Sequence, residues 1–195
     1  MRQTPCMSDL ERAAESWIEP YADAHHLRRT RDWALRLLPA AALPVRLAAL
    51  THDMERHFPG GPTMDPAVME PDDPRYLGAH AERSSVFVSC WLRLQGAAPE
   101  LVAAVGDLVR RHETGGCDAA DLVQAADSLS FLETKGHVME GWLADGRCDL
   151  ARAERQALWM AERIRLAAAR PLAEPLLAET LDLLRQTAAG IEARL

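Results

Sequence analysis

The sequence predicts an all-α fold, and three observations carry that reading. Ala, Leu, Glu and Arg dominate the 195 residues while aromatics make up only 5% and β-branched residues are sparse, a composition that loses little side-chain entropy on entering helices. Apolar residues recur at helical spacing along most of the chain. Capping and helix-breaking residues bracket those stretches. The length suits one well-buried core, so one domain is expected over 1–195, with a core at about 23–134 and scaffold helices at about 137–195.

Ser8-Asp9-Leu10-Glu11 has the form of a capping box, which starts a first helix that runs from about Asp9 to Glu19 and stops before Pro20. A second is expected over Asp23 to Leu38, where His26, Arg29, Thr30, Trp33 and Leu37 share a face. Pro44 opens a third, whose stripe Val45, Ala48, Ala49, His52 ends on the dipeptide His52-Asp53. From His57 to Tyr76 the pattern fails among Pro59, Pro62, Pro66, Pro71, Pro74, Gly60 and Gly61. A connection this long is either a rim or lid over the His52-Asp53 site or a variable surface loop.

A fourth helix, Tyr76 to Gln95, carries His80 inward with Ser84, Phe87 and Trp91. After Pro99 a fifth places His112 on the stripe of Leu101, Val105 and Leu108, ending at Thr114-Gly115-Gly116. Asp118 or Asp121 caps a sixth, on which Val123, Ala126, Asp127 and Ser130 share a face. Beyond Gly136 a short Trp-bearing helix (Val138 to Leu143), a long one (about Asp149 to Ala169) and a last one after Pro171 or Pro175 read as scaffold, with Trp142, Trp159 and Met160 as core.

With 22 Lys and Arg against 29 Asp and Glu, the net charge of −7 argues against an electrostatic grip on nucleic acid or an anionic membrane, and for a small diffusible substrate. The N-terminal residues lack an apolar signal region, and no run reaches the ~18 apolar residues of a membrane span. Cys6, Cys90, Cys117 and Cys148 form neither a disulfide framework nor a thiolate zinc pattern. A cytoplasmic protein with reduced thiols is expected.

The inward polar residues are His26, His52, Asp53, His80, His112 and Asp127, arriving from five helices. As unrelated core residues they would need several separate polar networks, each with its own desolvation cost. One metal centre satisfies all six. Imidazole nitrogen with carboxylate oxygen suits divalent transition metals, Fe or Mn with Zn and Co as further candidates, better than Ca or Mg.

This ordered pattern resembles the HD-domain superfamily of helical metal-dependent enzymes over about His26 to Asp127. His26-Leu27-Arg28-Arg29-Thr30 looks like the opening H-x-x-R motif, Thr51-His52-Asp53 like the signature dipeptide, and Ala126-Asp127-Ser128-Leu129 like the closing Asp motif. Gln124 to Glu133 also resembles a bacterial branch with no assigned function. The resemblance implies an HD-type bundle with a C-terminal helical extension. It also implies two ions: His26, His52, Asp53 and Asp127 hold the first, His80 and His112 the second, and Asp53 bridges them. His52 and Asp53 then form the catalytic centre.

Where the family often has HD-x-G-K, this chain has His52-Asp53-Met54-Glu55-Arg56, so Arg56 stands where a Lys would contact phosphate, and Glu55 replaces Gly. A carboxylate there must point away from a bound phosphate or take a proton. Arg29 and Arg83 read as anion contacts or as structural ion-pair partners. His57 reads as a general acid or a hydrogen-bonded rim residue, and His25 and His137 fit no motif. Three functions stay open: a phosphohydrolase acting on a nucleotide or other small phosphoester, a mixed-valent di-iron oxygenase cleaving a C–C or C–P bond, and a metal-stabilised binding protein without catalysis. The sequence does not bear on oligomeric state.

Overall fold

The computed structural model describes residues 8–194, and within them nine α-helices and two short 3-10 turns account for the regular structure, with no strand. The helices are α1 (Asp9–Ile18), α2 (Ala24–Leu37), α3 (Leu43–Thr51), α4 (Pro74–Leu94), α5 (Pro99–Arg110), α6 (Asp118–Thr134), α7 (Gly136–Ala144), α8 (Leu150–Glu162) and α9 (Arg170–Glu192). None of the described helices is long and apolar enough to cross a membrane. Cys90, Cys117 and Cys148 are free thiols, whereas Cys6 lies outside the described residues.

Local chemistry sets the helix starts. Ser8 Oγ accepts from the Glu11 amide at 3.2 Å while Glu11 Oε2 accepts from the Ser8 amide at 2.9 Å, the reciprocal box anticipated for α1. Glu11 is itself buried and takes Arg46 of α3 through both carboxylate oxygens, at 2.7 and 3.0 Å, which ties α1 to α3. Asp73 caps α4, accepting from the Arg75 and Tyr76 amides, and Asp149 caps α8, accepting from Arg152. Pro44, Pro74, Pro99 and Pro171 all stand in first turns, where a missing N–H costs nothing.

Two helices are buried almost all round. In α3 Leu47 to Thr51 are inaccessible, and in α6 every residue from Leu122 to Ser130 is buried. Around them α2 packs on α6 and α3, α4 packs on α5, and α5 packs on α3; α7, α8 and α9 form a second group that closes on α6. The buried side chains of all these helices join in one apolar core.

Three elements differ from expectation. The helix expected to reach Ala169 ends at Glu162, because tertiary partners take over: Ile164 enters the core, and the Arg165 amide donates to the Gln124 carboxamide at 3.2 Å instead of to its own helix. His112 lies in the turn after α5 rather than on it. The residue capping α6 is Cys117, while Asp121 reaches back to accept from the Gly116 amide at 2.7 Å. Gly115, at φ +66°, lies so close to Asp121 that an added Cβ would sit 2.2 Å from its Oδ1.

Removing Glu11 takes both charge-assisted bonds from Arg46, which keeps some solvent access and its bond to the Ala41 carbonyl. Glu11→Ala should therefore lower the unfolding free energy by about 2 kcal/mol, seen as an earlier urea midpoint with an unchanged slope. A change below about 1 kcal/mol would show that the pair does not fasten α1.

Candidate metal centre

Each of the four inward histidines has its Nδ1 occupied by the protein. His52 follows the last residue of α3 and His112 lies just past the end of α5; their Nδ1 atoms meet the carbonyls of Ala49 at 3.0 Å and Val109 at 2.6 Å. Both rings thus anchor on carbonyls at a helix C-terminus, that of Val109 also accepting the His112 amide at 3.3 Å. His26 Nδ1 meets Ser130 Oγ at 2.8 Å, and because that hydroxyl gives its one hydrogen to the His26 carbonyl at 2.9 Å, it accepts from the imidazole. His80 Nδ1 meets Glu55 Oε1 at 2.9 Å. With Nδ1 anchored in this way, the Nε2 atoms of all four rings face one region.

The carboxylates meet those atoms. Asp127 Oδ1 lies 3.1 Å from His26 Nε2 and 3.3 Å from His52 Nε2; Asp53 Oδ1 lies 2.8 Å from His80 Nε2 and 4.0 Å from His112 Nε2. His52 Nε2 and His80 Nε2 are buried and make no hydrogen bond of acceptable geometry. Three sets of ligand atoms lie close enough to hold a cation: His26, His52 and Asp53; His52, His112 and Asp127; and Asp53, His80 and His112. Asp53 belongs to a set on each side of the cluster.

Two residues missed by the sequence complete the cluster. Glu113 Oε1 is 3.3 Å from His112 Nε2 and 3.7 Å from His80 Nε2, and its other oxygen pairs with Arg163. Arg163, buried at the end of α8, also pairs with Asp127 and donates to Ser128 Oγ at 2.9 Å. Adjacency to His112 was the only available signal for Glu113. Nothing local marks Arg163, so the C-terminal helices are more than scaffold.

Charge compensation shows in the titration of these groups. Burial opposes ionisation of Asp127, but His52, Arg163 and His26 outweigh it and hold its carboxyl well below the usual range. Asp53 is likewise held well below that range, against burial, by Arg56, His80 and His52. In His26 burial wins and lowers the pKa. In His80 burial and the nearby Arg56 both disfavour the proton, yet Asp53 and Glu55 prevail and raise the pKa to about 9.

A cavity of about 580 Å³ opens above the cluster, with His26, Asp53, Glu113 and Asp127 exposed to it and Arg56 and Arg163 beside them. Residues Phe58 to Met64 and Pro71 form one wall, so the Pro-rich segment is a rim over the site. Arg56 Nε lies 3.0 Å from Asp53 Oδ2 and Nη1 donates to the Tyr76 hydroxyl at 2.5 Å, leaving three of its five N–H donors for other partners.

Arg29 and Arg83 do not line this cavity, which corrects their reading as anion contacts. Arg29 pairs with Glu133 at 2.8 Å and Asp32 at 3.2 Å. Arg83 holds Glu55 Oε2 at 2.8 Å and donates to the Pro59 carbonyl at 2.8 Å, so it braces the rim and the carboxylate behind His80. Glu55 points at His80 and away from Arg56's free donors, which resolves the difficulty of a carboxylate at that offset. His57 is exposed, edge-on to Tyr21 and Phe58, and outside the cavity wall. Trp142, Trp159 and Met160 pack on the core as expected but also face the cavity.

Comparison of the chain with protein-family models, with curated proteins and with solved structures returns no match.

In the metal-free protein His80 carries a proton at neutral pH. Its pKa, raised to about 9, lies above the ordinary histidine value of 6.5, so its stabilising contribution is complete below about pH 6.5 and is lost as pH rises through about 9. A cation that takes Nε2 must displace that proton. Calorimetric titration with Mn²⁺ at pH 7 should show proton release, with apparent affinity rising by up to about tenfold per pH unit toward pH 9. Affinity that is flat over this range would contradict the assignment of His80 as a ligand.

Proposed function

We propose that the chain is a phosphohydrolase of the HD-domain type, acting on a small phosphoester at a dinuclear centre of divalent transition metals. The observation that carries this reading is the convergence of four Nε2 atoms and two aspartates on one buried region, at the floor of a cavity that also presents two guanidinium groups. A purely structural site is usually closed around its ion. Here the Asp53, Asp127 and His26 donors face an open cavity, where a substrate can reach them.

His26, His52 and Asp127 would hold one ion and His80 and His112 the other, with Asp53 between them. Fe and Mn fit a mixed set of imidazole and carboxylate best, with Zn and Co as alternatives. When bound, two such ions acidify a water and neutralise charge on the phosphoryl oxygens. The chain's own residues do the rest. Arg56 offers its free N–H donors to a phosphoryl oxygen, held in place by Asp53 and Tyr76. The Nδ1 acceptors Ala49, Val109, Ser130 and Glu55 keep the imidazoles from turning. The rim from Phe58 to Pro71 limits access of bulk water to the reacting centre.

Metal analysis with an assay panel tests the reading. Protein loaded with Mn, Fe or Co should release phosphate from small phosphoesters; oxygen consumption by a two-iron form without phosphate release would replace it with an oxygenase, and metal binding without turnover would leave a binding protein. Asp53→Ala should lose both ions and all activity, whereas His80→Ala or His112→Ala should lose mainly one. Full metal content in Asp53→Ala would remove the bridge. Arg56→Ala should raise KM about tenfold with little change in metal content, and an unchanged KM would count against its phosphate contact.

A further inference from the structure

Three carboxylates of the centre share one arrangement, in which an arginine takes one oxygen and the other oxygen faces a pair of imidazole Nε2 atoms. Asp127 gives Oδ2 to Arg163 and turns Oδ1 to His26 and His52, at 3.1 and 3.3 Å. Asp53 gives Oδ2 to Arg56 and turns Oδ1 to His80 and His112, at 2.8 and 4.0 Å. Glu113 gives Oε2 to Arg163 and turns Oε1 to His112 and His80, at 3.3 and 3.7 Å. Glu55 differs from all three. It meets His80 through Nδ1 rather than Nε2, so it orients the ring without facing the region where the Nε2 atoms converge.

The Glu113 distances suit donors to one ion. Two donor atoms about 2.1 Å from a cation, at an angle of roughly 90–110°, lie roughly 3.0–3.4 Å apart. One of the two distances falls in that range and the other within a few tenths of an ångström of it. The carboxylate is also held in advance. The Glu113 carbonyl accepts from Gln124 Nε2 at 3.1 Å, while Arg163 donates to Ser128 Oγ at 2.9 Å and lies over the Trp159 ring, 4.7 Å from its centroid. Backbone and side chain of Glu113 are thus fixed from α6 and α8, and the residue lines the cavity beside Asp53 and Asp127.

We infer that Glu113 is a ligand of the second divalent cation, through Oε1, and that Arg163 positions the outer carboxylates of both ions by holding the oxygen of each that faces away from the imidazoles. Without Glu113 the second ion has one protein donor fewer than the first. With it, each ion has two imidazoles, one carboxylate of its own and a share of Asp53. The two halves of the centre then match: His26, His52 and Asp127 on one side, His80, His112 and Glu113 on the other, with Arg163 spanning the two outer carboxylates. This assignment rests on the dinuclear reading proposed above but not on the reaction given to it.

Calorimetric titration of the metal-free protein with Mn²⁺ reads the sites without turnover. The unmutated chain should take up two ions. Glu113→Gln, which is the same size but a neutral and poorer donor, should weaken one of them by at least the ~10–100-fold that loss of an outer-shell partner costs. The His80→Ala background shows which one. With the second ion already lost, Glu113→Gln should change the affinity for the remaining ion by no more than about threefold. A loss of about tenfold there would mean that Glu113 acts only through Arg163 on Asp127, and would overturn the inference. Anomalous diffraction from the Mn-loaded, unmutated protein does not depend on how the variants fold: the peak beside His80 and His112 should lie roughly 2.0–2.4 Å from Glu113 Oε1, and a separation beyond ~3 Å would overturn the assignment. Phosphate release by Glu113→Gln carrying two ions at unchanged affinity would overturn it and leave the hydrolase intact. Selective loss of the second ion in Glu113→Gln, without phosphate release from any ester by the unmutated protein, would uphold the ligand and sink the hydrolase.

Discussion

Four imidazoles and three carboxylates packed within a few ångströms of one another, largely withdrawn from bulk water at the floor of the cavity, are the constraint to which the rest of the bundle answers. Taken singly, each buried carboxylate would be expected to protonate rather than remain charged. Together they stay ionised because the compensating groups were buried with them: Arg163 between Asp127 and Glu113, Arg56 against Asp53, and a proton on His80 held between Asp53 and Glu55. The metal-free centre is therefore already neutralised in large part by positive groups of the chain. Divalent ions would compete with those groups rather than fill an uncompensated well.

Helix ends do much of the orienting. His52 and His112 sit at the C-terminal ends of α3 and α5, where the carbonyls of Ala49 and Val109 fix which ring nitrogen carries hydrogen. His26 relies on Ser130 across the α2–α6 interface, which makes the contact between these two helices part of the site as well as of the core. Behind His80 a chain of contacts runs through Glu55 and Arg83 to the rim carbonyl of Pro59. Gly61 belongs to that chain by its smallness, since a Cβ there would meet Glu55 Oε2 at 2.7 Å.

Most helix boundaries and the inward placement of the six clustered His and Asp residues were legible in the sequence because both depend on short-range signals. The capping box at Ser8 and Glu11, the first-turn prolines and the helical spacing of His80 and Asp127 speak within a single turn. What the sequence could not show depends on contacts between distant segments. The end of α8 is set by Gln124, some forty residues earlier, and Arg163 becomes part of the centre only because that helix stops where it does. Arg29 and Arg83 illustrate the converse: their positions beside motif residues suggest anion contacts, but Glu133 and Glu55 claim them. The role of α7 and α8 as a cavity wall was invisible for the same reason, since Trp142 and Gln156 carry no pattern that separates a lining residue from a packed one.

The central claim, that two cations share Asp53, is tested most directly by anomalous diffraction from crystals of the Mn-loaded protein grown without chelator. The account predicts two peaks about 3.5–4 Å apart, both on Asp53, one within coordination distance of His26, His52 and Asp127 and the other of His80 and His112. A single peak that does not touch Asp53, or none at full metal loading, would contradict it.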